Sequence, residues 1–183
     1  MTEIRPIRLG MVGGGNDAFI GGVHRIAARL DGRFDLIAGA LSSTPEKAQA
    51  SGAALGLDPA RTYDDFKAMA IREARLKDGI EAVAIVTPNL VLHHAAREFL
   101  NRVIHVIFVK PLTSTMADAK KLVKAANDSD ALFVLTHNYT GYPMMRQARQ
   151  MVANGTLGNI RVVQVEYAQD WLTQHEEFKQ AEW

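Results

Sequence analysis

The sequence predicts a doubly wound α/β fold, a parallel sheet covered by helices on both faces, followed by the start of an incomplete second α/β domain. Three observations predict it. An apolar run, Ile7 to Val12, passes straight through Gly13-Gly14-Gly15 into a helical pattern. Two later runs, Ile80 to Val86 (IEAVAIV) and Val103 to Val109 (VIHVIFV), are almost wholly apolar, as strands buried on both faces must be. Strand-like and helix-like stretches alternate along the chain, which calls for right-handed crossovers.

Composition narrows the class. A chain of 183 residues can bury one full core and part of another. Its 48% hydrophobic and 22% charged residues are those of a soluble globular protein. A formal charge of +1 leaves no strongly basic face for nucleic acid. No apolar run approaches the ~20 residues of a membrane span. Cysteine is absent, which rules out disulfides, thiolate metal sites and cysteine nucleophiles, and no metal site is expected. The first strand begins after about five residues, leaving no room for a signal peptide, so the expected location is cytoplasmic.

In the first turn, Gly13 and Gly15 take the first two places of a GxGxxG/A pattern and Ala18 the third, small enough to let the helix lie near the sheet. Asn16, Asp17, Ala18, Phe19 and Ile20 lead into a helix running to about Leu30. Backbone N–H groups and the positive end of the helix dipole make such a turn a pyrophosphate site. An ordinary strand-to-helix turn has the same look, and one match of this kind does not decide between them.

The second run, Arg33 to Leu41, is followed by Ser42-Ser43-Thr44 and by Pro45, which opens a helix with Glu46 in its first turn. That helix is expected to reach Leu55, with Gly56 closing it. Thr62-Tyr63-Asp64-Asp65-Phe66 starts another, reaching Leu76. Asn89 to Asn101 is helical, and Val103 stands where a helix-ending glycine is expected. Lys110-Pro111-Leu112 interrupts the next strand. Thr115 to Asp128 is a helix with Met116, Ala119, Leu122, Val123 and Ala126 placed on one face. Ala131 to Thr136 is counted as a sixth strand, and the first domain closes at residue 137. Residues 138–183 then supply a helix, Pro143 to Ala153, and a strand, Ile160 to Tyr167. A lone strand leaves open edges, so a homo-oligomer is expected.

The glycine turn, Thr87-Pro88-Asn89, Lys110-Pro111-Leu112-Thr113 and the stretch from Gly141-Tyr142-Pro143 through Trp171 occur in an order that resembles the Gfo/Idh/MocA family of NAD(P)-dependent oxidoreductases. The resemblance covers essentially the whole chain. It implies an NAD(P)-binding Rossmann domain and hydride transfer to or from a sugar, inositol or related polyol. It implies cofactor contacts by Gly13, Gly15, Asn16, Ala18, Phe19, Ser42, Ser43, Lys47, Thr87, Pro88, Asn89, Lys110, Pro111 and Asn138. It also places Lys110 beside the nicotinamide and the substrate carbinol as the catalytic residue, with an Asp and a His of the second domain opposite it. This chain has no match for those two.

Several of these positions carry a second reading. Lys110 ends a buried strand at its carboxyl end, where partial desolvation would suit it to polarise an oxygen or relay a proton. The lesser alternative is a surface lysine before a turn proline. The acidic residue usual before it is Val109, preceded by Phe108 in place of a small residue, and the family's two histidines are Leu90 and Leu92. Thr87 and Asn89 offer hydrogen bonds to a ribose or nicotinamide, and Asn89 also suits a helix N-cap. The loop after the second strand has no carboxylate to repel a 2′-phosphate, while Ser42, Ser43 and Lys47 suit one, so it leans to NADP. A helix cap at Ser43 or Thr44 with a solvated lysine accounts for the same residues. His137-Asn138-Tyr139 and Tyr142 are placed to reach a substrate or to pack between domains. Trp171 is placed to close over the nicotinamide or to sit in a core. His93 and His94 are adjacent, point to different sides of a helix and form no metal pair.

Two alternatives to an active dehydrogenase stay open. One is a nucleotide-binding but catalytically incomplete relative, favoured by Val109, Leu90 and Leu92. The other is a subunit whose unfinished sheet is completed by another chain.

Overall fold

The computed structural model describes residues 5–16, 18–87, 89–170 and 173, the side chains of residues 89–92 excepted. In chain order the elements are β1 (Ile7–Gly13), α1 (Phe19–Arg29), β2 (Phe34–Ala40), α2 (Pro45–Ala54), α3 (Phe66–Glu73), β3 (Ala82–Val86), α4 (Asn89–Leu100), β4 (His105–Val109), α5 (Met116–Asn127), β5 (Phe133–Thr136) and α6 (Pro143–Ala153). The strands form one sheet in the order β2-β1-β3-β4-β5, every pair parallel. The sheet is the doubly wound one that the apolar runs imply.

β3 shows why its sequence had to be apolar throughout. All five of its residues are buried, because side chains alternate between two covered faces. Val83 and Ile85 join one core with Val106 and Phe108 of β4, Phe99 of α4, Met69 of α3 and Leu122 of α5. Ala82, Ala84 and Val86 join a second core with Leu9, Met11, Leu41 and Leu57, against which Ile20 and Ala28 of α1 pack. Burying each large side chain of this kind contributes about 1.5–3 kcal/mol.

Expectation and structure part at four places. The sheet has five strands, and the Ala131 to Thr136 run, numbered sixth above, is the last of the five. Between α2 and β3 the chain contributes a short 3-10 turn (Pro59–Arg61) and α3, and its ladder pairing with the sheet is a single isolated bridge between Gly39 and Thr62. α3 starts at Phe66 rather than Thr62, because Asp65 caps it by accepting from Lys67 and Ala68 N–H while Tyr63 turns into the core. On α5, Leu122 is buried, whereas Met116 is 73% and Val123 48% exposed. At about 100° per residue Met116 and Val123 lie well round the helix from the Leu122–Ala126 side, so the five positions do not make one buried face.

The fourth difference concerns residues 160–167, which form no strand. Their Val162, Val163, Val165 and Tyr167 side chains are exposed, and no neighbouring backbone in the described residues gives them a ladder to join. Alternating sequence supplies a face, but a strand also needs a partner. The chain divides into two compact units, Met1–His137 and Asn138–Trp183. The second contains a 3-10 turn (Asn138–Gly141), α6, and a cluster in which Tyr139 packs on Tyr142 and bonds the Tyr167 hydroxyl at 2.7 Å.

Candidate functional site

The parallel register brings the carboxyl ends of the strands to one edge. Gly13 pairs with Val86, Ile85 with Phe108 and Val109 with Thr136, while Val12 pairs with Ala40. Segments 13–15, 41–47, 87 and 110 therefore leave the sheet on the same side. From β1 the chain runs outward to β2 on one flank, and β3 lies on the other. The crevice above β1 and β3 is thus the point where strand order reverses, the usual ligand position in open α/β sheets.

Glycine is required at this crevice by geometry. Gly13 and Gly14 have φ of +75° and +72°, in the left-handed region. A Cβ on Gly13 would lie 2.8 Å from Thr87 Cγ2 and 3.0 Å from the Val86 carbonyl, closing the space between the strands. A Cβ on Gly15 would lie 2.7 Å from Ser51 Oγ. Ser51, on α2, braces the turn, since its Oγ accepts from Asn16 N–H at 3.2 Å. The close approach of helix to sheet is made by Gly21 rather than Ala18: a Cβ there would collide with the Gly14 backbone. Sequence reading missed Gly21 because it sits three residues beyond the pattern, one turn into the helix.

Ala18 occupies the N-cap of α1, and its N–H bonds the Gly15 carbonyl at 3.0 Å. It has no side chain to cap the helix, and the first turn carries no acid. The N–H groups of Phe19, Ile20 and Gly21 have no acceptor within the helix, which leaves them for an anion. Asn16 and the Phe19 ring, 82% exposed, flank that end.

Thr87 is the residue whose chemistry is unfinished. Its Oγ1 is buried and makes no hydrogen bond among the described residues. A buried hydroxyl without a partner costs about 1–3 kcal/mol, so it marks a place for a ligand atom. Pro88 and the Asn89 side chain lie outside the described residues, as do Asp17, Trp171 and the side chains of Leu90 and Leu92.

After β2, Ser42 Oγ accepts from Thr44 N–H at 3.1 Å, while Ser43 and Lys47 are exposed. Thr44 holds the N-cap position of α2 without a side-chain capping bond, so the cap does not by itself account for these hydroxyls. Lys110 is exposed rather than partly desolvated. The reason is its place one residue past the last ladder pair, Val109 with Thr136. Pro111 is likewise exposed. Val109 fills apolar space, packing against both cores. Asn138 is exposed in the turn that opens the second unit.

Two histidines with shifted titration lie on α1 and α4. Burial lowers the pKa of His24. Burial, then the neighbouring His94, lowers that of His93, whose Nε2 lies 3.5 Å from Asp118.

The left-handed turn, the uncapped helix and the orphaned hydroxyl together fit a dinucleotide: backbone N–H groups for its phosphates, and a hydroxyl for its ribose or carboxamide. Comparison with known proteins agrees. The model of the GFO_IDH_MocA oxidoreductase family, described as an NAD-binding Rossmann fold, matches residues 7–137. An uncharacterized oxidoreductase, YfiI, of Bacillus subtilis is 37% identical over 164 residues, 89% of this chain and 42% of that protein. The crystal structure of an oxidoreductase from Sinorhizobium meliloti is 73% identical with a TM-score of 0.89, covering 93% of this chain and 47% of that one. An inositol dehydrogenase homolog from Azotobacter vinelandii, complexed with NADH and myo-inositol, is 41% identical with a TM-score of 0.82, covering 86% of this chain and 41% of that one. The chain thus spans under half the length of these proteins.

Proposed function

Because the chain belongs to the GFO_IDH_MocA oxidoreductase family, we propose that it binds NAD(P)(H) in the β1–β3 crevice and serves hydride transfer to or from a sugar, inositol or related polyol. The observation that carries the binding half is the buried Thr87 Oγ1, unpartnered beside the left-handed Gly13–Gly14 turn. The polyol half rests on the likeness to the inositol dehydrogenase homolog.

In this reading the bound nicotinamide supplies or accepts the hydride. The N–H groups of the first turn of α1 hold the phosphates. Thr87 Oγ1 donates to or accepts from the ribose or carboxamide, and the family resemblance assigns Pro88, Asn89 and Asn138 to the same cofactor. Ser42, Ser43 and Lys47 receive the adenine ribose, and the loop Leu41-Ser42-Ser43-Thr44, which carries no carboxylate, accommodates a 2′-phosphate. Lys110 holds the substrate oxygen and stabilises negative charge growing on it, by ammonium hydrogen bonding. Residues 138–183 begin the second, substrate-side domain.

Calorimetric titration of the 183-residue chain with NADP(H) and NAD(H) tests the cofactor reading. NADP(H) is expected to bind at least as tightly, with Lys47→Ala weakening it selectively. A clear preference for NAD(H), unchanged by Lys47→Ala, overturns the NADP assignment.

A second reading, a nucleotide-binding but catalytically incomplete relative, is favoured by one observation. Val109, an apolar residue packed against both cores, stands where the resemblance to the family implies a carboxylate before Lys110. Steady NAD(P)H production with any sugar or inositol by the purified chain would exclude it.

A further inference from the structure

Four residues beyond Gly21, on the same side of α1, Arg25 reaches back to the glycine turn. Its Nη1 donates to the Gly14 carbonyl and lies 3.5 Å from Met11 Sδ. Side chains on a helix lean toward its N-terminus, which is why position 25 can serve a turn that ends before position 19. Gly14 is left-handed, with φ of +72°. Its carbonyl is therefore aimed by the turn itself, and the guanidinium caps it from the helix side. Met11 is fully buried. The partners recorded for Arg25 are thus a thioether and a neutral carbonyl, and among the described residues no carboxylate pairs with it. Burial and the nearby Arg29 both work against its charge. A partly buried guanidinium with no anion close by among the described residues is uncompensated charge, and it stands beside the glycine turn that leads into the α1 N-terminus, which suits an anion.

We propose that Arg25 is a positioning residue of the dinucleotide site: it locks the Gly14 carbonyl, and so the glycine turn, and sets an uncompensated positive charge behind the phosphates. The inference rests on the reading of the crevice as a dinucleotide site. Two consequences separate it from a merely structural contact. The benefit of Arg25 is confined to ligands that carry phosphate, and it weakens with salt because it is partly electrostatic.

The test titrates NADH, ADP and adenosine into the 183-residue chain carrying Arg25, Arg25→Gln or Arg25→Lys. Arg25→Gln keeps a donor but no charge. It is expected to weaken NADH and ADP about tenfold, the scale of one charge-assisted contact, and to leave adenosine within about twofold. Arg25→Lys should recover most of the loss, and the gap should narrow between about 0.05 and 0.5 M salt. Unchanged NADH affinity in Arg25→Gln, equal loss for adenosine, or a gap that salt does not touch overturns the role of Arg25. Failure of the unsubstituted chain to bind any of the three ligands overturns the dinucleotide reading instead.

Discussion

Val103 is the single residue at which sequence and backbone conflict most openly. It has φ of +58°, and its N–H and that of Ile104 bond the carbonyls of Leu100 and Phe99 at 3.0 and 3.1 Å. That is the paired bonding of a helix ended by a left-handed residue, and Gly56 performs the same task for α2 with φ of +72°. A β-branched residue in this region costs of order 1–3 kcal/mol. Val103 is 57% exposed, so little packing is lost by replacing it. Val103→Gly is therefore expected to raise stability by about 1 kcal/mol in urea unfolding, and a decrease would show that the valine contributes packing instead. This conflict was legible in the sequence, since helix ends announce their need for glycine. The orphaned Thr87 hydroxyl was legible only as a residue type. Its lack of a partner follows from how β1 and β3 align, which no local pattern states.

Among the elements, α3 and the segment before β3 depend on one buried carboxylate. The Glu73 side chain is fully buried and ion-paired with Arg61. It also accepts from the Tyr63 hydroxyl at 2.7 Å and from Ile80 N–H at 3.1 Å. Burial and the bond to Glu73 push the Tyr63 phenol well above its ordinary pKa. Glu73→Ala removes the acceptor shared by Tyr63 and Ile80 N–H and leaves Arg61 with Asp78 alone, and should cost about 3 kcal/mol in urea unfolding. A loss below about 1 kcal/mol would show the network to be dispensable. The pH dependence has two arms. His24 and His93 have lowered pKa values, so the unfolded chain takes up protons first as pH falls below about 6.5. Stability is full above that value and falls beneath it. The Arg5 guanidinium holds Glu81 at about 2, so its contribution is present above its ordinary value and is lost as pH falls toward 2. Unfolding free energies measured at pH 7.5 and pH 5.5 are expected to differ in that direction, and replacing both histidines by Gln should flatten the difference. The strands of the sheet were readable because burial on two faces leaves an unbroken apolar run. Residues 160–167 misled because alternation reports a face and not a partner, and α5 misled because apolar spacing was matched without fixing which side meets the sheet.

For the whole molecule, binding and turnover are expected to separate. Hydride transfer needs donor and acceptor carbons held about 3–3.5 Å apart and aligned. The parallel sheet can position a cofactor, but α6 and an unpaired extended segment supply no walls to orient a polyol. The 183-residue chain is expected to bind dinucleotide without measurable dehydrogenase activity. In a full-length relative with this same segment, Lys110→Ala should lower kcat about 10²-fold or more and change cofactor affinity less. Near-normal turnover would reduce Lys110 to a structural role. The exposed Val162, Val163 and Val165 row should also make the chain self-associate in light scattering.

The most direct test is a paired measurement on Thr87→Val, which keeps the shape of the side chain and deletes only the hydroxyl. If Oγ1 is kept for a ligand, the variant should be as stable as the parent or up to about 1 kcal/mol more so, because a buried unsatisfied group is gone. Its dinucleotide affinity in calorimetry should fall about tenfold. Gain in one and loss in the other is the predicted result. Unchanged affinity in the variant, or no dinucleotide binding by the parent chain, would contradict it.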